Sequence, residues 1–227
     1  MPTLYRYIPF VIFFIHASIC YSQEKCVYNA VIGYNTPVFR GELAQRYNYP
    51  LEGTVYAYSD EFQEGTLEFN GEHYSGLMMN LNAHRNELQV RIGTTGESIA
   101  VKRSLVGDFT IGMRNFTALY GERGIKGLAE GYYQVLYRGK DMLLKEIYKS
   151  TNDRTDYVNN ITVKVFTTRT RYWLVKDGKV TGIRDGNDLA GIYREHKDEV
   201  KRYLKGHKGE EKDVSLQAIM ELIGEGR

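Results

Sequence analysis

Between residues 54 and 183 polar and apolar positions often alternate. Glu87-Leu88-Gln89-Val90-Arg91-Ile92 does so without a fault, and Ser98-Ile99-Ala100-Val101-Lys102 nearly so. Phe109, Ile111 and Met113 fall on one side of another run, and Val163 and Val165 share a side of a later one. Successive strand side chains point to opposite faces, so each run offers one face to a core and one to water. Turn residues join these runs. Asn70-Gly71 lies between Thr66–Phe69 and Glu72–Met79, and Asp177-Gly178 lies between Tyr172–Lys176 and Lys179–Ile183. Both pairs accept the positive φ of a tight hairpin. Arg138-Gly139-Lys140-Asp141 separates Tyr132–Tyr137 from Met142–Lys149. The pattern predicts a mainly β domain over residues 23–183, an antiparallel curled sheet or partial barrel. Strands do not alternate with crossover helices, which argues against a parallel doubly wound sheet.

After Ile183 the period changes. Leu189, Ile192, Tyr193, His196, Val200, Tyr203 and Leu204 follow helical spacing, with Asp188 or Asn187 placed to cap the start and Gly206 to end it. A charged stretch leads to Leu216, Ile219, Met220 and Ile223, which share a face behind a cap at Asp213. Residues 184–227 thus read as a segment of two C-terminal α-helices. Each is too short to stand alone, so their apolar faces need a packing surface, which the sheet supplies. Gly121, Gly124 and Gly127 interrupt any regular pattern, so residues 121–127 read as a mobile loop.

The first 22 residues differ from the rest. Arg6 gives a positive start, Ile8–Ile15 is a short uncharged apolar run, and small or neutral residues follow up to Ser22. These are the three parts of a secretory signal, cut after Ser22 to leave Gln23 first. The apolar run falls short of the ~20 residues that span a bilayer. Lipidation at Cys20 is disfavoured, because the residue before it is Ile19 rather than a small one. The expectation is export, to the periplasm, the outer membrane's surface or the medium, with no transmembrane span after cleavage. Cys26 is then the single cysteine left; it pairs between chains or stays buried, and Glu24-Lys25 alone does not activate a thiol.

The 227 residues carry 30 Lys+Arg against 28 Asp+Glu, a net charge of +2. That balance gives no reason to expect a nucleic-acid partner. With 42% apolar and 26% charged residues the chain is ordinary globular material. Two cysteines cannot make a disulfide-dense scaffold or a four-cysteine zinc site. No G-x-S-x-G, H-E-x-x-H or P-loop is present, and Gly121-Glu122-Arg123-Gly124 lacks the lysine a phosphate cradle needs. His196 and Glu199 stand three apart on a helix, too few for a metal site, and read as a solvated face. No cofactor, metal or catalytic residue is expected. Asn115-Phe116-Thr117 and Asn160-Ile161-Thr162 match the glycan-acceptor pattern, a short motif given no weight here.

Tyrosine is the unusual component, with 19 residues against nine phenylalanines and one tryptophan. It offers an apolar body and a polar tip, suited to half-buried strands and equally to sugar or peptide contacts. Tyr47, Tyr49, Tyr56 and Tyr58 cluster in sequence and are the binding candidates. Trp173 is expected to pack in its hairpin.

Glu61–Phe69, Tyr74–Asn82, Asn86–Val90 and Gly131–Lys140 with Leu143-Leu144-Lys145 behind it resemble a family of uncharacterised exported proteins of Bacteroidetes. The likeness covers roughly residues 54 to 150, with a weaker echo in the C-terminal helices. Leu81 stands where such proteins often have an aromatic. The resemblance implies a cell-envelope or secreted location and brings no catalytic residues. The expected function is therefore a non-enzymatic binding or structural module for a protein, peptide or glycan at the envelope. The alternative is a glycan-acting hydrolase, whose two acids can lie far apart in the chain.

Overall fold

The computed structural model describes residues 36–93, 96–156 and 160–225. The expected signal segment (residues 1–22), with Cys20, and Cys26 lie outside the described residues. The strands are β1 (Glu42–Leu43), β2 (Leu51–Glu52), β3 (Gln63–Phe69), β4 (Glu72–Asn82), β5 (Glu87–Arg91) and β6 (Ser98–Ala100), followed by β7 (Val106–Ile111), β8 (Arg114–Leu119), β9 (Gly131–Arg138), β10 (Met142–Asp156), β11 (Ile161–Lys176) and β12 (Lys179–Ile183). They form one open sheet in the order β1-β6-β5-β4-β3-β7-β8-β9-β10-β11-β12. All of these neighbours pair antiparallel. β2 lies off this path and pairs parallel with β11, Leu51 opposite Lys164 and Glu52 opposite Val165. The expected mainly β class is observed.

The hairpins form where turn chemistry placed them. Asn70 (φ 54°) with Gly71 (φ 79°) joins β3 to β4, and Asp177 (φ 48°) with Gly178 (φ 73°) joins β11 to β12. Two expectations are corrected nearby. Met113 does not join Phe109 and Ile111 on a buried face; β7 ends at Ile111 and Met113 sits in the turn, 98% exposed. The segment 121–127 is not a free loop. Arg123 pairs with Glu68, and Ile125 and Leu128 pack on Leu119, Tyr133 and Leu144. Those apolar contacts were hidden by the glycines around them.

The sheet curls back on itself. Four strands separate β4 from β10 in the order, yet the Lys149 amide donates to the Ala83 carbonyl at 3.2 Å. One face of β10 presents Leu143, Lys145, Ile147 and Lys149 in turn. Ile147 belongs to a core with Leu67, Leu81, Phe109 and Phe116. Leu143 belongs to a second core, with Tyr172, Leu174 and the helices. The opposite face of β10 carries Leu144, in a small third cluster with Trp173 against it.

Three helices follow, not two: α1 (Gly186–Ile192), α2 (Lys197–Gly206) and α3 (Lys212–Glu225). The expected first helix breaks at Tyr193, whose backbone leaves helical geometry at φ −99°, ψ 72°. The break lets the fully buried ring enter the second core and its hydroxyl donate to Asp141 Oδ2 at 2.6 Å. The cap is Asp185, which accepts from the Asn187 amide at 2.8 Å, rather than Asn187 or Asp188. Asp213 falls in the first turn of α3. As expected, the apolar faces pack on the sheet: Leu189, Val200, Leu216, Ile219 and Met220 are all 1% exposed or less. No helix among the described residues is long and apolar enough to cross a membrane.

Candidate functional site

The chain from 54 to 62 returns along the end of β4 and sets two of the four candidate tyrosines. The Ala57 amide donates to Leu81 O at 2.9 Å and the Ala83 amide to Val55 O at 3.0 Å, which fixes Tyr56 opposite Asn82. The Tyr56 hydroxyl then donates to Gln89 Oε1 on β5 at 3.1 Å, and Ser98 Oγ on β6 reaches the same oxygen at 3.4 Å. The Tyr47 hydroxyl accepts from Asn82 Nδ2 at 3.2 Å. Asn82 and Gln89 are 1% and 2% exposed, so both amides are held rigidly. Burial pushes the Tyr47 and Tyr56 hydroxyls above their ordinary pKa, and both stay protonated at neutral pH.

Tyr47 and Tyr56 open onto one groove of about 710 Å³. Its lining includes Phe62, Asn82, Gln89 and Ser98, the carboxylates of Asp60 and Glu97, and Leu43 and Leu51. Leu43 is 59% exposed and Leu51 40%. Hydroxyls, amides and aromatic surface on three adjacent strands form a neutral polar floor between walls that carry apolar side chains. The partly exposed hydroxyls of Tyr47, Tyr56 and Ser98 can donate to or accept from a ligand at positions that the buried amides of Asn82 and Gln89 fix.

The other two candidates do not line this groove. Tyr49 packs edge-on against Tyr47, ring centroids 5.6 Å apart, with Lys164 over its face. Tyr58 points to the opposite side, where its hydroxyl bonds Gln134 and lies 3.5 Å from Lys145 Nζ. The Arg114 guanidinium covers its ring at 4.0 Å, and Arg85 covers Tyr47 at 4.4 Å. These rings are packing partners of cations rather than bare stacking platforms. The structure thus puts Tyr47 and Tyr56 on one groove, with Tyr49 against Tyr47 and Tyr58 apart from them.

Sequence reading missed Phe62, Asn82, Gln89 and Ser98. The available signal was an amide at alternating strand positions, Asn80, Asn82 and Gln89, since buried amides must be matched to partners.

A pair of carboxylates does approach across strands, outside this groove. Glu68 on β3 accepts from the Asp108 amide on β7 at 3.4 Å, beside a shallow groove of about 400 Å³. Arg123 bonds Glu68, while Arg138 grips Asp108 at 2.7 and 3.3 Å. The Arg123 hydrogen bond holds the Glu68 carboxyl below its ordinary value. Burial pushes the Asp108 carboxyl up, but bonds from Thr117 and Arg138 outweigh it, and the net shift is downward. Both groups are ionised at neutral pH, whereas the acid of a glycosidase must hold its proton there. Among the described residues no three His, Cys, Asp or Glu gather as a metal site.

No family model, curated protein or solved structure matches this chain.

Proposed function

We propose that the protein is an exported cell-envelope module that binds a neutral glycan in the groove between Tyr47 and Tyr56 without transforming it. The observation that carries this reading is the fixed array of Tyr56, Gln89, Ser98, Tyr47 and Asn82 along the groove floor. Sugar hydroxyls both donate and accept, and this floor offers both roles at rigid positions. The export half rests on the N-terminal signal pattern and on the resemblance to exported Bacteroidetes proteins. Periplasmic, outer-membrane-associated and secreted locations all follow from that route.

The alternative reading, a glycan-acting hydrolase, is favoured by one observation: Asp60 and Glu97 both line this groove. One experiment separates the two. The purified mature protein is screened against neutral oligosaccharides, and each hit is measured by calorimetry with the wild type and Gln89→Ala. Saturable binding weakened about tenfold in the variant supports the module. Mass spectrometry of the recovered sugar then decides the chemistry: intact chains fit a binder, and new reducing ends establish the hydrolase. Binding that ignores Gln89→Ala removes the groove from either reading. Recovery of the protein with Met1 in place, instead of Gln23 first, removes export.

A further inference from the structure

A second polar strip lies on the sheet between residues of the two cores. On one face of β11 the residues are Phe166, Thr168, Thr170 and Tyr172. Phe166 and Tyr172 are buried at the two ends, while Thr168 and Thr170 between them are exposed. Across the ladder, Lys145 stands opposite Tyr172, Ile147 opposite Thr170 and Lys149 opposite Thr168. Two lysines therefore face inward, four residues and about 13 Å apart along one strand. Both are nearly closed from solvent, at 7% and 8% exposure.

They differ in what they face. Lys145 pairs with Asp213 of α3. Lys149 Nζ donates to Thr168 Oγ1 at 2.7 Å, and among the described residues no carboxylate lies within ion-pair distance of it. Asp60 acts on it from further away and is itself bonded by the Thr54 hydroxyl. A buried ammonium with a hydroxyl as its partner is poorly compensated, since burial removes water from a charge and a neutral acceptor restores only part of the loss. Burial accordingly lowers the Lys149 pKa, with Asp60 opposing.

We propose that this strip is an anion site, in which Lys149 receives a carboxylate or phosphate group of a small ligand lying along Thr168 and Thr170. The two exposed hydroxyls supply neutral hydrogen bonds beside the cation. Lys145, already neutralised by Asp213, leaves Lys149 as the attracting charge. The site is separate from the neutral groove floor and stands whether or not that groove binds sugar.

The test is a titration of the isotopically labelled mature protein, followed by amide chemical shifts, with inorganic phosphate, glucuronate and glucose in turn. Phosphate or glucuronate should move the Lys149, Thr168 and Thr170 amides saturably, and glucose should leave them still. Which of the two anions binds more tightly identifies the source chemistry. Lys149→Met should weaken the effect at least about tenfold, while Lys179→Met on the exposed β11–β12 turn should not. Shifts confined to surface lysines, or an undiminished response in Lys149→Met, overturn the proposal. Should that variant fail to fold, the wild-type titration decides alone, because silence at Thr168 and Thr170 is enough to reject it.

Discussion

Asp213, in the first turn of α3, accepts the Tyr172 hydroxyl at 2.7 Å. The same carboxylate pairs with Lys145, so a single side chain ties the helical layer to β10 and β11 where the two cores meet. Burial and Asp213 together push the Tyr172 hydroxyl far above its ordinary range, which keeps it a donor.

Removing Asp213 strands a lysine that is 7% exposed. Asp213→Ala should cost about 3 kcal/mol, the usual penalty for breaking one side of a buried pair. Replacing both partners, as Lys145→Met with Asp213→Leu, should cost much less, because no charge is left behind. Urea unfolding of the three proteins checks this. A single variant within ~0.5 kcal/mol of wild type would show that the pair is not part of the fold's stability.

The Arg184 hydrogen bond, aided by the backbone amides of Arg184 and Asp185, holds the Asp188 carboxyl down to about 2. A depressed carboxylate stabilises the fold above its unfolded pKa, near 3.9. That contribution is lost as pH falls from about 4 toward 2. Arg184→Ala should return the Asp188 titration toward the ordinary value, read by carbon NMR of its side chain. An unchanged titration would assign the shift to the helix end rather than to Arg184.

Burial pushes the Tyr120 and Tyr133 hydroxyls up to about 12. Their folded values exceed the unfolded value of about 10, so the stability they lend is whole below pH 10 and is lost as pH rises toward 12. Tyrosinate absorbance should therefore appear in two stages, the later one coincident with loss of circular dichroism. Full ionisation of all tyrosines near pH 10 in the folded protein would contradict the packing around both rings.

Gly65 and Gly71 should respond to alanine for different reasons. A Cβ on Gly65 would strike the Thr110 carbonyl of the neighbouring strand, so the strands must part, at about 2 kcal/mol. Gly71 has open space, but its φ of +79° strains any L side chain, at about 1 kcal/mol. Thermal melts of Gly65→Ala and Gly71→Ala should rank in that order, and the reverse ranking would mean that the β3–β7 contact yields easily.

The hairpin turns were legible because few residue pairs tolerate positive φ in succession, and Asn70-Gly71 and Asp177-Gly178 are two of them. The helical faces were legible by their spacing. The break at Tyr193 was not, because its cause is Asp141, about 50 residues away. A lysine in a strand normally faces water, yet Lys145 and Lys149 are buried. What turns them inward is the second layer above β10, which no local pattern announces. The division among the four tyrosine candidates was hidden too. Closeness in sequence suggested one cluster, but the chain bends at Ala57 and Tyr58 after the Tyr56–Asn82 bridge, so Tyr56 reaches Gln89 and Tyr58 reaches Gln134.

Leu51 finds its parallel partner in Lys164, about 110 residues further along the chain. During synthesis β2 must therefore wait with its hydrogen bonds unmade until β11 has left the ribosome. The early segment that frames the neutral groove is thus among the last parts to settle, and a nascent chain halted before residue 160 would carry every groove tyrosine but no strand on which to dock β2.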